Sequence, residues 1–275
     1  MKPETRPVFI EGSCGRLFGL YFPAGPAPRG AVLYLPPFAE EMNRCRALAA
    51  EQARAFASSG ISCLLLDPYG TGDSAGDLEN ATWAIWREDA LLAANWLAQS
   101  SGCQVSLWGL RLGGLLAGQL FQTAPDHFDR LLLWQPVTNG KQFLTQYLRL
   151  RVAWLMERGL PAETTDGIRA AMAAGTPVEV AGYLLSGPLA TSIDDARFPE
   201  GDTPLQGKHI DWLENATGTG APLSIAARRS VDSLTARGAQ IHAATFAGPP
   251  LWQLHKRDEL PGLIEISSAL FGEAS

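Results

Sequence analysis

Residues 106–118 read SLWGLRLGGLLAG. The apolar residues before Gly109 suit a strand, and the leucines and small residues after Gly113 suit a helix, so the two glycines bracket a short strand-to-helix turn. In a G-x-S-x-G turn of this kind the middle serine is held in a strained conformation with its hydroxyl exposed for attack. Here the turn is Gly109-Leu110-Arg111-Leu112-Gly113, and its middle residue is arginine. A guanidinium stays protonated at physiological pH and has no lone pair to offer, so Arg111 is no nucleophile.

On the N-terminal side of this turn, the periodicity predicts strands over Leu17–Phe22, Ala31–Leu35, Ile61–Leu66 and Val105–Trp108, with helices over Glu41–Ser59 and Trp83–Ala98 between them. On the C-terminal side Leu115–Gln122 continues the helix and Leu131–Trp134 is the next strand. Short strands that are apolar on both faces, alternating with helices, predict an α/β fold with a doubly wound, mostly parallel sheet. Between residues 137 and 199 the rhythm breaks: Gln142–Met156 and Ala162–Ala174 read as helices, and Val180–Ile193 mixes apolar residues with Gly182, Gly187 and Pro188. This segment reads as a helical cap inserted into a core made of residues 1–136 and 200–275. The core rhythm returns with a strand at Leu223–Ala227, a helix around Val231–Arg237, a strand at Gln240–Phe246 and a last helix at Gly262–Leu270.

The chain has 275 residues, 46% of them apolar, a net charge of −6 and a pI near 5.3. That balance disfavours a phosphate-backbone partner. The N-terminal MKPETRPVFIEG lacks the apolar core of a secretory signal and no run is long enough to span a bilayer, which predicts a cytoplasmic protein. Cys14, Cys45, Cys63 and Cys103 form no C-x-x-C pair, and the four histidines show no metal-ligand spacing, so no metal or other cofactor is expected.

Three features together carry a resemblance: the turn at Gly109–Gly113, the loop DPYGTGDS at residues 67–74, and the insertion after the strand ending at Trp134. In that order they resemble the α/β-hydrolase superfamily over nearly the whole chain. More narrowly, PPFAEEMNRCR (36–46), LLLDPYGTGDSAG (64–76) and LLLWQPVTNGKQFLTQYLRLR (131–151) resemble the bacterial group named exosortase A system-associated hydrolase 2. The resemblance implies a setting in PEP-CTERM protein sorting and exopolysaccharide production. It also implies a sheet of the α/β-hydrolase type under a helical cap.

A hydrolase of this type needs a histidine base after the last strand and an acid that orients it. Where the histidine is expected the chain reads FAGPPLW (246–252), with Pro250 at the imidazole's place, and His255 five residues further on is the remaining candidate. Taking Leu223–Ala227 as the strand before the acid leaves eleven residues from Arg228 to Gly238, too few for a helix and an acid loop. Asp232 is the only carboxylate there, and the first turn of a helix is its expected place, favoured by the dipole. Cys45, flanked by Arg44 and Arg46, is an alternative nucleophile if its thiol pKa is lowered, with packing as the ordinary role. Ser74 reads as a hydroxyl bonding nearby backbone, and Asp73 as a turn-capping residue, with pairing to Arg111 as its alternative role.

Arg111 next to a helix N-terminus makes a positive site. Glu40 or Glu41, from the loop after the AVLYL strand, is expected to pair with it; otherwise a carboxylate or phosphate ligand completes the charge. Phe38 belongs to the same loop, and Trp252 and Trp134 stand at strand ends facing the cleft as stacking candidates. The reading is a hydrolase-fold protein without a serine triad that binds a small anionic ligand, or a protein partner of the exosortase and exopolysaccharide system. The alternative is an esterase or thioesterase with a non-standard catalytic arrangement.

Overall fold

The computed structural model describes residues 4–218, 220–253 and 259–272. The chain opens with an antiparallel hairpin, β1 (Arg6–Glu11) and β2 (Arg16–Phe22), in which Arg6 faces Tyr21 and Glu11 faces Arg16. Strand and helix then alternate as β3 (Gly30–Leu35), α1 (Glu40–Ser58), β4 (Ile61–Leu66), α2 (Trp83–Ser101), β5 (Val105–Leu110), α3 (Leu112–Thr123) and β6 (Phe128–Trp134). After β6 come α4 (Gly140–Glu157), α5 (Thr165–Ala173), the two-stranded hairpin β7 (Val178–Val180) and β8 (Tyr183–Leu185), and α6 (Gly187–Asp195). The chain closes with β9 (His209–Ala216), α7 (Ile225–Ala236), β10 (Gln240–Ala247) and α8 (Pro261–Leu270).

Eight strands form one sheet in the order β1-β2-β4-β3-β5-β6-β9-β10. From β4 to β10 neighbouring strands run parallel, and β2 alone runs the other way, antiparallel to both β1 and β4. The expected doubly wound, mostly parallel sheet is therefore the one observed. Side chains alternate across it with a period of two. On β3, Ala31, Leu33 and Leu35 enter the core shared with α2 and α3, while Val32 and Tyr34 enter the core shared with α1 and α8. A strand covered on both faces has no room for polar side chains, which is why β3, β4 and β5 are legible as apolar runs.

The strand expected at Leu223–Ala227 is not there. Those residues lead into α7, whose N-cap Ser224 accepts from the Ala227 N–H at 3.2 Å. The strand is β9, HIDWLENA, whose acids break the apolar pattern. Both are buried and served: Arg130 Nε lies 2.7 Å from Asp211 Oδ2, and the Ser224 N–H donates to Glu214 Oε2 at 2.8 Å. Between β6 and β9 the segment contains the β7–β8 hairpin as well as three helices, which accounts for the mixed pattern over residues 180–193. Among the described residues no helix is long and apolar enough to cross a membrane.

The DPYGTGDS loop after β4 is built around Asp67. Its Oδ2 accepts from the Asp73 N–H at 3.1 Å and from Arg46 at 3.0 Å. The Ser74 hydroxyl accepts from the Phe18 N–H at 2.8 Å and donates to the Asp67 carbonyl at 2.5 Å, so Ser74 fastens the turn to β2. Gly72, at φ 54°, lies so close that a Cβ there would overlap the Asp67 carboxylate.

Candidate binding site at the elbow

Arg111 is the single residue between β5 and α3, with φ 53° and ψ −117°. A positive φ in a non-glycine residue is strained, by roughly 1–3 kcal/mol, and persists only where neighbours over-determine it. Here the Arg111 N–H donates to the Trp134 carbonyl at 3.1 Å, and the Arg111 carbonyl accepts from the N–H groups of Gly114 and Val137, both at 3.0 Å. Gly113 packs against β3 so tightly that a methyl group would overlap the carbonyl oxygens of Leu35 and Pro36. The backbone of a nucleophile turn is thus complete, and it presents a guanidinium.

Among the described residues that guanidinium meets one carboxylate and two aromatic rings. Its Nη2 donates to Glu41 Oε1 at 3.3 Å, and its carbon lies 4.2 Å from the centre of the Trp252 ring and 5.9 Å from that of Phe143. Glu41 sits in the first turn of α1, where the helix dipole favours a carboxylate. Burial pushes the Glu41 carboxyl above its ordinary pKa, and the charge of Arg111 pulls the other way. Glu40 does not reach Arg111; it pairs with Arg44 at 3.3 Å, one helical turn along. Arg44 in turn donates to the Gln253 carbonyl at 3.3 Å and so ties α1 to the loop after β10.

Above the pair lies a pocket of about 230 Å³. Phe38, Glu40, Glu41, Arg111 and Trp252, five residues singled out in the sequence, all line it. Its far wall comes from α4, through Phe143, Gln146, Tyr147 and Leu150, none of which sequence reasoning placed at the site. Their spacing of three and four residues marks one helix face, but nothing in the sequence said that this face lies over the elbow. The Tyr147 hydroxyl donates to the Val180 carbonyl at 2.9 Å. Among the described residues two arginines and two glutamates are paired within the pocket, so Glu41 takes the place beside Arg111 that an anion was otherwise expected to fill.

The remaining candidates fall elsewhere. Cys45 is 1% exposed, its Sγ lies 3.6 Å from the Leu251 carbonyl, and burial pushes its thiol up to about 12, the reverse of the lowering a nucleophile needs. Asp232 lies in the middle of α7 facing solvent, not in its first turn. Trp134 is not at the cleft: it is fully buried against Trp108 and donates to the Ser267 hydroxyl at 2.9 Å. His255 lies outside the described residues.

Because β9 ends at Ala216, the loop that would carry the acid is 217–224, TGTGAPLS, which holds no carboxylate. The acid position is empty for a different reason than the shortage of residues inferred from the misplaced strand. Asn215, at the end of β9, donates to the Gly248 carbonyl at 2.8 Å and joins the two loops where acid and base would stand. Among the described residues no group of three or more His, Cys, Asp or Glu side chains could hold a metal ion.

Residues 26–190 match the family described as Serine aminopeptidase, S33 (Hydrolase_4). The chain belongs to this family. The Hydrolase_4 match spans β3 to α6 and so includes the elbow, Glu41 and α4. Over 102 residues the chain is 37% identical to the mitochondrial palmitoyl-protein thioesterase ABHD10 of Pongo abelii. The match covers 37% of this chain and about a third, 31%, of that curated relative. Among solved structures it is similar to Est1E from Butyrivibrio proteoclasticus with bound ferulic acid, at 13% identity and TM-score 0.69, covering 96% of this chain and 97% of that one. It is likewise similar to a thermostable carboxyl esterase from Bacillus coagulans in complex with glycerol, at 14% identity and TM-score 0.65, with 98% of each chain covered. At such identities these structures show that the Hydrolase_4 chain shares the α/β-hydrolase fold.

Proposed function

We propose that this α/β-hydrolase family member does not hydrolyse and instead binds a ligand or partner in the pocket above Arg111. It would do so as a cytoplasmic bacterial protein in the exosortase, PEP-CTERM and exopolysaccharide setting its sequence resembles, with residues 137–199 as the cap over the pocket. One observation carries this reading: the elbow keeps the strained backbone of a nucleophile turn while its side chain is a guanidinium paired with Glu41. A guanidinium cannot attack a carbonyl, and the pair orders the loop after β3 against the elbow, the place where oxyanion donors would otherwise act.

A second reading, ester or thioester hydrolysis by a non-standard arrangement, draws support from the 37% identity to a thioesterase over 102 residues. A panel of p-nitrophenyl esters and acyl-CoA thioesters separates the two. The first reading expects no turnover above buffer. Turnover that survives Arg111→Ala and is lost in His255→Ala would establish the second.

A further inference from the structure

The chemistry of the pocket narrows its occupant, on the reading above that it is a binding site. Among the described residues its four charges are already matched, Arg111 with Glu41 and Arg44 with Glu40, each at 3.3 Å. An anionic ligand would have to draw Arg111 away from Glu41, and Glu41 would then be a largely buried carboxylate without its partner, a strongly unfavourable state. A cationic ligand meets the same difficulty with the roles exchanged.

An uncharged hydroxyl meets neither. It donates and accepts at once. The Arg111–Glu41 contact, at 3.3 Å, is longer than the roughly 2.7–2.9 Å of a tight charge-assisted bond. A hydroxyl between the two side chains would accept from the guanidinium and donate to the carboxylate. The walls add apolar rings from Phe38, Phe143, Tyr147 and Trp252, beside the amide side chains of Gln146 and Gln253. A volume of about 230 Å³ leaves room for one saturated ring.

We propose that the pocket holds a neutral monosaccharide unit, with a hydroxyl bridging Arg111 and Glu41 and its C–H face against the aromatic wall.

Calorimetric titration of the full chain with methyl β-D-glucopyranoside, methyl β-D-galactopyranoside and N-acetylglucosamine, beside glucuronate and hexanoate, tests this. At least one neutral sugar should bind saturably and at least about tenfold more tightly than either acid. Glu41→Gln leaves one positive charge in excess and should reverse that order in favour of glucuronate; Glu40→Gln provides a second variant of the same charge should the first not fold. Tighter binding of glucuronate or hexanoate by the wild type, or no binding of any neutral sugar at millimolar concentration, overturns the proposal. Preference for an acid defeats the ligand class and leaves the non-hydrolytic pocket standing. Ester turnover with sugar binding intact defeats only the non-hydrolytic reading.

Discussion

Arginine at position 111 occupies a backbone shape that serves no purpose for arginine itself. Nothing in guanidinium recognition needs φ 53°, whereas exposing a short nucleophile at the head of α3 does. The strain belongs to the architecture, and the side chain has been refitted to it by Glu41 on one side and Trp252 on the other. Replacing Arg111 by Met leaves Glu41 buried and unpaired. With side chains 14% and 20% exposed, the pair should cost less to break than a fully enclosed one, about 2–3 kcal/mol. Chemical denaturation of Arg111→Met, Glu41→Gln and the double variant checks this, and the double variant should recover at least half of the loss because no charge is then stranded.

The elbow as an element depends on contacts that tolerate no added atom. Gly113 lets α3 begin against the carbonyls of Leu35 and Pro36, so Gly113→Ala must push α3 away from β3. We expect a loss of about 3 kcal/mol or more in urea unfolding, as large as an overpacked core substitution. This element was legible in the sequence because glycine spacing, a preceding apolar strand and a following small-residue helix all state the same geometry. The strands β3 to β5 and the Leu131–Trp134 half of β6 were legible for a related reason, being apolar on both faces, whereas Asp129 and Arg130 hid the start of β6. β9 was not, since Asp211 and Glu214 lie inside it and the partners that make their burial tolerable, Arg130 and the Ser224 N–H, come from distant positions in the chain. Part of the site was legible too: the loop after β3 and the elbow share the C-terminal end of adjacent strands, which brings Glu41 to Arg111. The choice of Glu41 over Glu40 follows from which way each points on the first turn of α1, and the α4 wall follows from how the segment after β6 packs. Neither is written in residue type.

At the scale of the whole molecule, the sheet separates two charged clusters. The pocket lies at the C-terminal ends of the strands, while Asp211 sits with Arg130 and His242 towards the opposite ends of β9, β6 and β10. Arg130 also donates to the Leu270 carbonyl and covers the Phe271 ring, so this cluster holds the end of α8 against the sheet. Burial pushes the Asp211 carboxyl up to about 6, with Arg130 opposing. Its folded pKa is thus raised above that of the unfolded chain, so its contribution to stability is fully present at low pH and is lost as pH rises through about 6. Between pH 7 and pH 5 the wild type should gain on the order of 1 kcal/mol relative to Asp211→Asn, read from urea unfolding of both at each pH.

Fluorophosphonate labelling of the wild type beside Arg111→Ser, followed by intact mass, asks whether anything of the hydrolytic machinery survives around the elbow. An activated serine reacts with such a probe, and an unassisted hydroxyl does not. With no acid in residues 217–224 and proline at position 250, neither chain should gain an adduct. An adduct on the wild type would mean that an activated nucleophile stands elsewhere and that the protein is an enzyme; rapid labelling of Arg111→Ser at the new hydroxyl would mean that a base still stands at the elbow.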